Sequence, residues 1–176
     1  MCYAERDESL REAFAEAIAG VLAELLAYVD ETGIDRFLYR PYARSPKGVP
    51  VQGWAPGRRH ERTGLVAGMC MGRPVAPMQY EGTMDAQAFE PWFARMLLPS
   101  LKAGSVIVMD NARFHRKAAL GEMAHCRGCR VLFLPPYSPD LNPIENLWAW
   151  LKARLRKILP NFDSLDEAIK DCFKVA

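Results

Sequence analysis

The chain has 176 residues, of which half are hydrophobic and a quarter are charged. This length and composition suit one domain with one buried core, and they exclude a disordered protein. Lysine and arginine number 23 against 21 acidic residues, so the net charge of +2 excludes a uniformly basic nucleic-acid coat but not a local basic patch.

The first half of the chain predicts one helix followed by strands. Residues 7–26 place apolar side chains at helical spacing with charged residues between them. Leu26–Asp30 is a short apolar run that we expect to form a buried strand, stopped by a turn at Asp-Glu-Thr-Gly. An extended hairpin is expected over 37–51, and strands over 63–71 and 75–80 complete an antiparallel meander.

After Gly82 the pattern changes to alternating helices and strands. The expected helices cover 85–98, 117–124 and 142–159, with a last one from about residue 164, and the expected strands cover 105–109 and 130–134. Asn142 is predicted to be the N-cap of the longest helix, with Pro143 at its first position. A meander followed by alternating strands and helices predicts an α/β fold, in which helices pack on a mixed sheet.

Three acidic residues occupy positions where the ends of these elements would hold them rigidly. Asp30 ends the first strand, Asp110 follows a buried strand, and Glu145 lies in the first turn of the longest helix. Carboxylates that meet on apolar elements repel one another unless a cation lies between them, and Mg²⁺ or Mn²⁺ prefers oxygen ligands. Two such ions about 3.5–4 Å apart can activate a nucleophile and stabilise the leaving oxygen of a phosphodiester.

Each of these residues also has a purely structural interpretation. Asp30 could start the expected turn, and its neighbour Glu31 competes for the functional role, because alternation lets only one of the two face a given side. Asp110 and Asn111 could form a turn at a strand end. Glu145 could be a glutamate that favours the positive end of the helix dipole.

Three segments share the pattern of one protein family. They read Y-V-D-E-T-G at 28–33, V-M-D-N-A-R-F-H at 108–115 and L-P-P-Y-S-P-D-L-N-P-I-E-N-L-W-A-W-L-K at 134–152. With these segments the chain resembles the mariner-related bacterial insertion-sequence transposases of the DDE type. Thirty-four residues separate Asp110 from Glu145, which agrees with the interval of that family.

The resemblance implies a fold, a reaction and a set of partners. Residues 1–176 would form a single DDE catalytic domain, a ribonuclease H-like mixed sheet flanked by helices. Asp30, Asp110 and Glu145 would be its catalytic residues and would bind two Mg²⁺ or Mn²⁺ ions. The reaction would be DNA strand cleavage and strand transfer during insertion-sequence transposition, on transposon ends and target DNA. We expect a homodimer in the active complex and a cytoplasmic, nucleoid-associated location in a bacterium, with no membrane partner.

The chain departs from the family before its first strand. Family members usually carry helix-turn-helix modules there, whereas only about twenty-five residues precede the strand here. We therefore expect no helix-turn-helix module and weak DNA binding, with recognition supplied by a separately encoded N-terminal DNA-binding part. The alternative is an inactive or domesticated remnant that acts as a DNA-binding or dimerisation module. The Pro-Tyr-Ser-Pro-Asp block argues against another ribonuclease H-like nuclease.

Further residues are candidates for contacts around the site. Asn111 could hydrogen-bond near a metal-bound phosphate. His115 could position a metal ligand or the substrate, or make only a local hydrogen bond at a helix start. The candidates for DNA contact are Arg58, Arg59, Tyr137, Lys152 and Arg156. These arginines and the lysine belong to two basic clusters, at 58–62 and 152–157, and the alternative for both clusters is a solvated face.

Overall fold

A computed structural model of the chain describes residues 6–35, 44–50 and 62–175. The hairpin predicted over 37–51 lies mostly outside these ranges. Its central part forms a turn in which the backbone N–H of Val49 donates to the carbonyl of Pro46 at 3.1 Å.

Five strands form one mixed sheet. In chain order they are β1 (Leu26–Asp35), β2 (Arg62–Cys70), β3 (Arg73–Glu81), β4 (Val106–Met109) and β5 (Arg130–Phe133). Their order across the sheet is β3-β2-β1-β4-β5. The first three strands pair antiparallel, and β1, β4 and β5 pair parallel. The predicted α/β class, with a meander followed by alternating strands and helices in a mixed sheet, is confirmed.

Strand β1 is longer than predicted, and the turn expected after Asp30 is wrong. Residues 31–35 continue the strand and pair with residues 62–66 of β2. Pairing with β4 ends earlier, at Val29 opposite Met109. Asp30 is therefore the first residue of β1 beyond the parallel ladder, held on strand backbone rather than in a loop.

The glycine of the expected turn serves close packing instead. Gly33 lies opposite Gly64 across the β1–β2 ladder. A Cβ atom on Gly33 would lie 2.0 Å from Nε of Arg62, and one on Gly64 would lie 2.3 Å from the ring of Tyr80. Both glycines thus leave the space that these two side chains occupy on the sheet face.

Helices precede, connect and follow the strands. They are α1 (Glu8–Ala19), α2 (Ala86–Trp92), α3 (Lys117–His125), α4 (Ile144–Ile158) and α5 (Leu165–Val175). Helix α1 is shorter than the predicted span of 7–26, because Gly20 ends it and a short 3₁₀ turn leads into β1. Helix α2 continues through π and 3₁₀ turns to Ser100. No helix within the described ranges is both long and apolar enough to cross a membrane.

Helix α4 begins later than predicted. Pro143 occupies the N-cap position and Ile144 is the first helical residue, so Asn142 does not cap the helix with its side chain. A 3₁₀ turn at 139–141 directly precedes Asn142 and buries it. The contact between Asn142 and the first turn is made by backbone, since its carbonyl accepts the N–H of Glu145 at 3.2 Å.

The helices cover both faces of the sheet, as predicted. One apolar cluster joins the sheet to α2 and α3, and it contains Val29 and Val66. The cluster on the opposite face joins the sheet to α4 and α5, and it contains Leu65 and Trp148. Because side chains alternate along a strand, Leu65 and Val66 belong to different clusters. The same alternation assigns neighbouring residues of β1 to opposite faces.

Candidate active site

Three carboxylates from three elements line one cleft. Asp30 lies within β1, Asp110 directly follows β4, and Glu145 is in the first turn of α4. Asp30 and Asp110 each follow a member of the Val29–Met109 pair, which places them side by side just beyond the parallel ladder of β1 and β4. The cleft has a volume of about 330 Å³, and the loop 134–139 forms much of its wall.

The carboxylate of Asp30 is held by two donors. The backbone N–H of Glu31 donates to its Oδ1 at 2.8 Å, and the indole Nε1 of Trp148 donates to its Oδ2 at 3.2 Å. Burial first, and then the nearby carboxylates of Glu31 and Glu145, raise the pKa of Asp30 to about 7. A cation in the cleft would offset both causes, since each disfavours the negative charge of this group.

The carboxylate of Asp110 contacts a buried histidine. Its Oδ1 accepts the backbone N–H of Ala112 at 3.0 Å and lies 3.3 Å from Nδ1 of His115. The same ring nitrogen lies 3.2 Å from the backbone carbonyl oxygen of Asp110. The contact with His115 lowers the pKa of Asp110 below its ordinary value, so this carboxylate is ionised at neutral pH.

His115 lies between two carboxylates and two aromatic rings. Its side chain is 1% exposed, and its ring centroid is 4.5 Å from that of Phe89 and 4.4 Å from that of Phe114. Its Nε2 is 3.6 Å from Oε1 of Glu31, an ion pair slightly longer than a hydrogen bond. Burial lowers the pKa of His115, but Asp110 and Glu31 outweigh it and raise the pKa to about 9.

The oxygen donors of the cleft fit a hard divalent cation by their chemistry. Asp30, Asp110 and Glu145 supply carboxylates, and the crowding that raises the pKa of Asp30 is what a cation would relieve. Across the described ranges, no three acidic, histidine or cysteine side chains are grouped closely enough to hold an ion as they stand. The carboxylates of Asp30 and Asp110 instead make contacts with Trp148 and His115, so ion binding requires them to draw together.

Two other predicted residues lie at the cleft. Asn111 lines it beside Asp110. Tyr137 also lines it, is 54% exposed, and has a backbone φ of +54°, in the left-handed region that few non-glycine residues adopt. An exposed ring on a constrained loop is well placed to meet a ligand at the mouth of the cleft.

The predicted basic residues do not line the cleft where they are described. Lys152 is half-buried and Arg156 is exposed, both on α4. Lys152 follows Glu145 by about two helical turns, so the two residues share one side of the helix. Arg58 and Arg59 lie outside the described residues.

Two features of the site were missed by sequence reasoning. The indole N–H of Trp148 reaches Asp30, a contact that the sequence analysis does not include; the signal for it is the spacing of three residues from Glu145, which puts both on one face of α4. Arg6 and Arg11 of the N-terminal segment both donate to the carboxylate of Asp140, at 2.7 and 2.8 Å. This pairing ties α1 to the loop of the cleft, and no local sequence pattern indicates it.

Comparison with known proteins identifies the family. The sequence profile of the DDE superfamily endonucleases matches residues 25–169. The chain belongs to this family. The matched span runs from the start of β1 into α5, so it includes all three carboxylates of the DDE cleft.

Curated relatives of the DDE domain include nematode transposases. The Tc1 transposase of Caenorhabditis elegans is 32% identical over 97 residues, which cover 54% of this chain and 34% of that protein. The Tcb1 transposase of Caenorhabditis briggsae is 32% identical over 81 residues, covering 44% of this chain and 30% of that protein. The chain therefore spans about a third of the length of the transposases it matches.

Solved structures share the fold. The Mos1 transposase in a paired-end complex with the left transposon end has a TM-score of 0.71 at 19% identity, covering 99% of this chain and 56% of that chain. The catalytic domain of the Mos1 mariner transposase has a TM-score of 0.64 at 16% identity, covering 99% of this chain and 83% of that chain. The predicted ribonuclease H-like fold and the resemblance to mariner-related transposases are confirmed.

Proposed function

We propose that this chain is the catalytic domain of a DNA transposase, which cleaves strands at transposon ends and joins them to target DNA. The observation that carries the proposal is the convergence of Asp30, Asp110 and Glu145 on one cleft, in a chain of the DDE family. Two carboxylates at the carboxyl ends of neighbouring parallel strands and one at a helix start supply the oxygen ligands that metal-assisted phosphoryl transfer requires.

In this proposal Asp30, Asp110 and Glu145 hold two Mg²⁺ or Mn²⁺ ions. When bound, the ions promote deprotonation of the attacking oxygen and stabilise the leaving oxygen of the phosphodiester. Solved Mos1 complexes carry Mg or Mn, which supports the choice of metal. The protein's part is to keep Asp110 ionised through His115 and to fix Asp30 through Trp148.

The attacking group in each step comes from outside the protein. Water attacks first at the transposon ends, and the freed 3′-hydroxyl then attacks the target DNA. Ser138 lines the cleft, but its hydroxyl donates to the carbonyl of Pro136 at 3.2 Å. We propose no covalent intermediate between the protein and DNA.

DNA is proposed to lie across the mouth of the cleft. Tyr137 would contact it there, Asn111 would hydrogen-bond near the reacting phosphate, and Lys152 with Arg156 would contact the phosphate backbone. Arg58 and Arg59 are proposed to add similar contacts. Phosphate contacts of this kind give affinity without sequence preference.

The remaining partners follow from the same proposal. Two copies of the chain would act together on paired transposon ends. A separately encoded N-terminal DNA-binding part would supply sequence recognition. Because an enzyme of this kind acts on chromosomal DNA, we propose a nucleoid-associated location in the bacterial cytoplasm.

A non-catalytic remnant that only binds DNA or dimerises is the second candidate. It leaves unexplained why a buried, charged histidine contacts the half-exposed Asp110 and why Asp30 is crowded by two carboxylates. Such an arrangement costs stability without a cation, and a purely structural protein gains nothing from it.

The direct test is nicking of a labelled duplex that carries the flanking DNA of the gene. We expect cleavage by the wild-type chain with Mg²⁺ or Mn²⁺, none with a chelator, and none by Asp110→Asn. Glu81→Gln, which removes an exposed acid from the end of β3, is the matched control and should cleave normally. Binding to the duplex without cleavage, even after a separately encoded N-terminal DNA-binding part is added, would favour the remnant.

A further inference from the structure

Neighbouring residues of β1 serve two different faces of the sheet. Asp30 points toward α4 and contacts Trp148, and Glu31 points to the opposite face, where it meets His115. The Glu31 carboxylate is 15% exposed. Nδ1 of His115 contacts Asp110. Glu31, His115 and Asp110 therefore form a continuous chain of polar groups from the face of the sheet opposite α4 to the cleft.

We propose that Glu31 is a positioning residue, which acts through His115 to hold the carboxylate of Asp110 in the orientation that it presents to the cleft. The inference rests on the proposed metal-dependent function of that cleft. The described donors to Asp110, the N–H of Ala112 and the ring of His115, both engage Oδ1. A fixed Oδ1 leaves Oδ2 as the oxygen available to a cation.

The two rings beside His115 cannot by themselves select its orientation. Phe89 and Phe114 confine the plane of the imidazole, but a half-turn of the ring fits the same slot. That half-turn would exchange nitrogen for carbon at both contacts. Oxygens of Glu31 and Asp110 would then face ring carbons, and the mostly buried Glu31 side chain would lose its ion-pair contact with the ring. Acceptors on both sides of the ring therefore select one orientation.

Glu31 reaches His115 from a pocket distinct from the cleft. The pocket has a volume of about 390 Å³ and is lined by Glu31, Arg62, Tyr80, Thr83 and Phe114, among others. None of the three cleft carboxylates lines it. Glu31 can therefore be changed without adding or removing atoms in the cleft, which separates positioning from direct contact with metal or DNA.

Variants of Glu31 can separate the reach of the side chain from its charge. Glu31→Asp keeps the charge but is shorter by one methylene group, and Glu31→Ala removes the acceptor. Glu31→Gln keeps an acceptor oxygen at the same reach without the charge. Positioning through His115 predicts that Glu31→Asp and Glu31→Ala fail to hold His115 and bind Mn²⁺ more weakly. Glu31→Gln should be close to the wild type in both properties.

The first measurement is made on the metal-free protein. Imidazole ¹⁵N resonances, assigned with His60→Gln and His125→Gln, report the hydrogen bonding of His115. We expect the resonances of His115 to shift or broaden in Glu31→Asp and Glu31→Ala, and to remain sharp in Glu31→Gln. Glu81→Gln, the matched loss of an exposed acid, should leave them unchanged.

The second measurement is the dissociation constant for Mn²⁺, obtained by calorimetry. We expect it to rise about tenfold or more in Glu31→Asp and Glu31→Ala, and to stay within about threefold in Glu31→Gln. If Glu31→Ala does not fold, Glu31→Asp carries the same test with its charge intact. Unchanged His115 resonances and unchanged Mn²⁺ affinity in the shortened variant would overturn the proposal.

Failure of the proposed function gives a different result. If Asp110→Asn binds Mn²⁺ as well as the wild type does, the cleft is not the metal site. The ¹⁵N measurement does not depend on metal or DNA, so it still tests whether Glu31 fixes His115.

Discussion

The indole Nε1 of Trp148 donates a hydrogen bond of 3.2 Å to Oδ2 of Asp30, across 118 positions of sequence. Trp148 lies three residues after Glu145 on α4, so the helix that carries one cleft carboxylate also fixes another. The same side chain is 2% exposed within the cluster between the sheet and α4. Packing of the core and geometry of the cleft therefore depend on one residue.

Trp148→Phe should keep an aromatic ring in the core but leave Oδ2 of Asp30 without this donor. We expect the free energy of unfolding to fall by about 1–3 kcal/mol, and DNA cleavage to fall by roughly 10- to 100-fold. Denaturant melts and a cleavage assay check the two effects. Trp150→Phe, on an exposed part of the same helix, is the control. Equal losses in the two variants would show that the hydrogen bond is unimportant.

Asp30→Asn should stabilise the metal-free protein while abolishing cleavage. The folded-state pKa of Asp30, about 7, lies above its ordinary value of 3.8, so ionisation opposes folding as the pH rises between these values. The variant should match the wild type below pH 4 and exceed it by roughly 2–4 kcal/mol above pH 7. Urea melts in EDTA across this range supply the difference curve. A difference that does not change with pH would contradict the crowded, buried carboxylate.

Arg11→Ala should loosen the loop that walls the cleft. Arg11 donates to both oxygens of Asp140, at 3.2 and 2.8 Å, and thereby joins α1 to that loop. The backbone amides of Ser138 and of residues 140–142 should exchange with deuterium faster in the variant. Lys170→Ala breaks a surface pair with Asp166 and should leave those amides unaffected. Unaltered exchange in Arg11→Ala would mean that the loop holds its shape unaided.

The double substitution Lys152→Ala and Arg156→Ala should weaken DNA binding. The loss of affinity should be the same for duplexes with transposon-end sequences and for scrambled duplexes. Each lost phosphate contact should make the slope of log affinity against log salt shallower by about 1. Titrations of labelled duplexes at several salt concentrations measure this. Lys102→Ala, which removes a cation paired with Glu24, is the control. Strong discrimination of transposon ends that survives high salt would show that the domain reads bases itself.

Local sequence patterns predicted most of the strands and helices. They failed where residues distant in sequence determine the extent of an element. The Asp-Glu-Thr-Gly run has the composition of a turn, but β2 pairs with it from more than thirty positions away and extends β1 through Gly33. The spacing of apolar residues in 7–26 continues past the helix end, which Gly20 sets.

The cleft was predictable only in part. The positions of Asp110 and Glu145 follow from strand and helix ends, but the contact of Asp110 with His115 does not. The sequence leaves Glu31 as an alternative to Asp30 for the functional role. In the structure, strand alternation places the two side chains on opposite faces of the sheet. The partners Trp148 and His115 come from elements whose packing no single segment encodes.

The central claim is that Asp30, Asp110 and Glu145 hold divalent cations. Anomalous diffraction from crystals grown with Mn²⁺ tests it most directly, because manganese can be located without assuming its ligands. We predict anomalous peaks in the cleft, within coordination distance of carboxylate oxygens from all three residues, and weakened peaks in Glu145→Gln. Manganese bound only elsewhere on the protein, or cleft peaks unchanged in Glu145→Gln, would contradict the account.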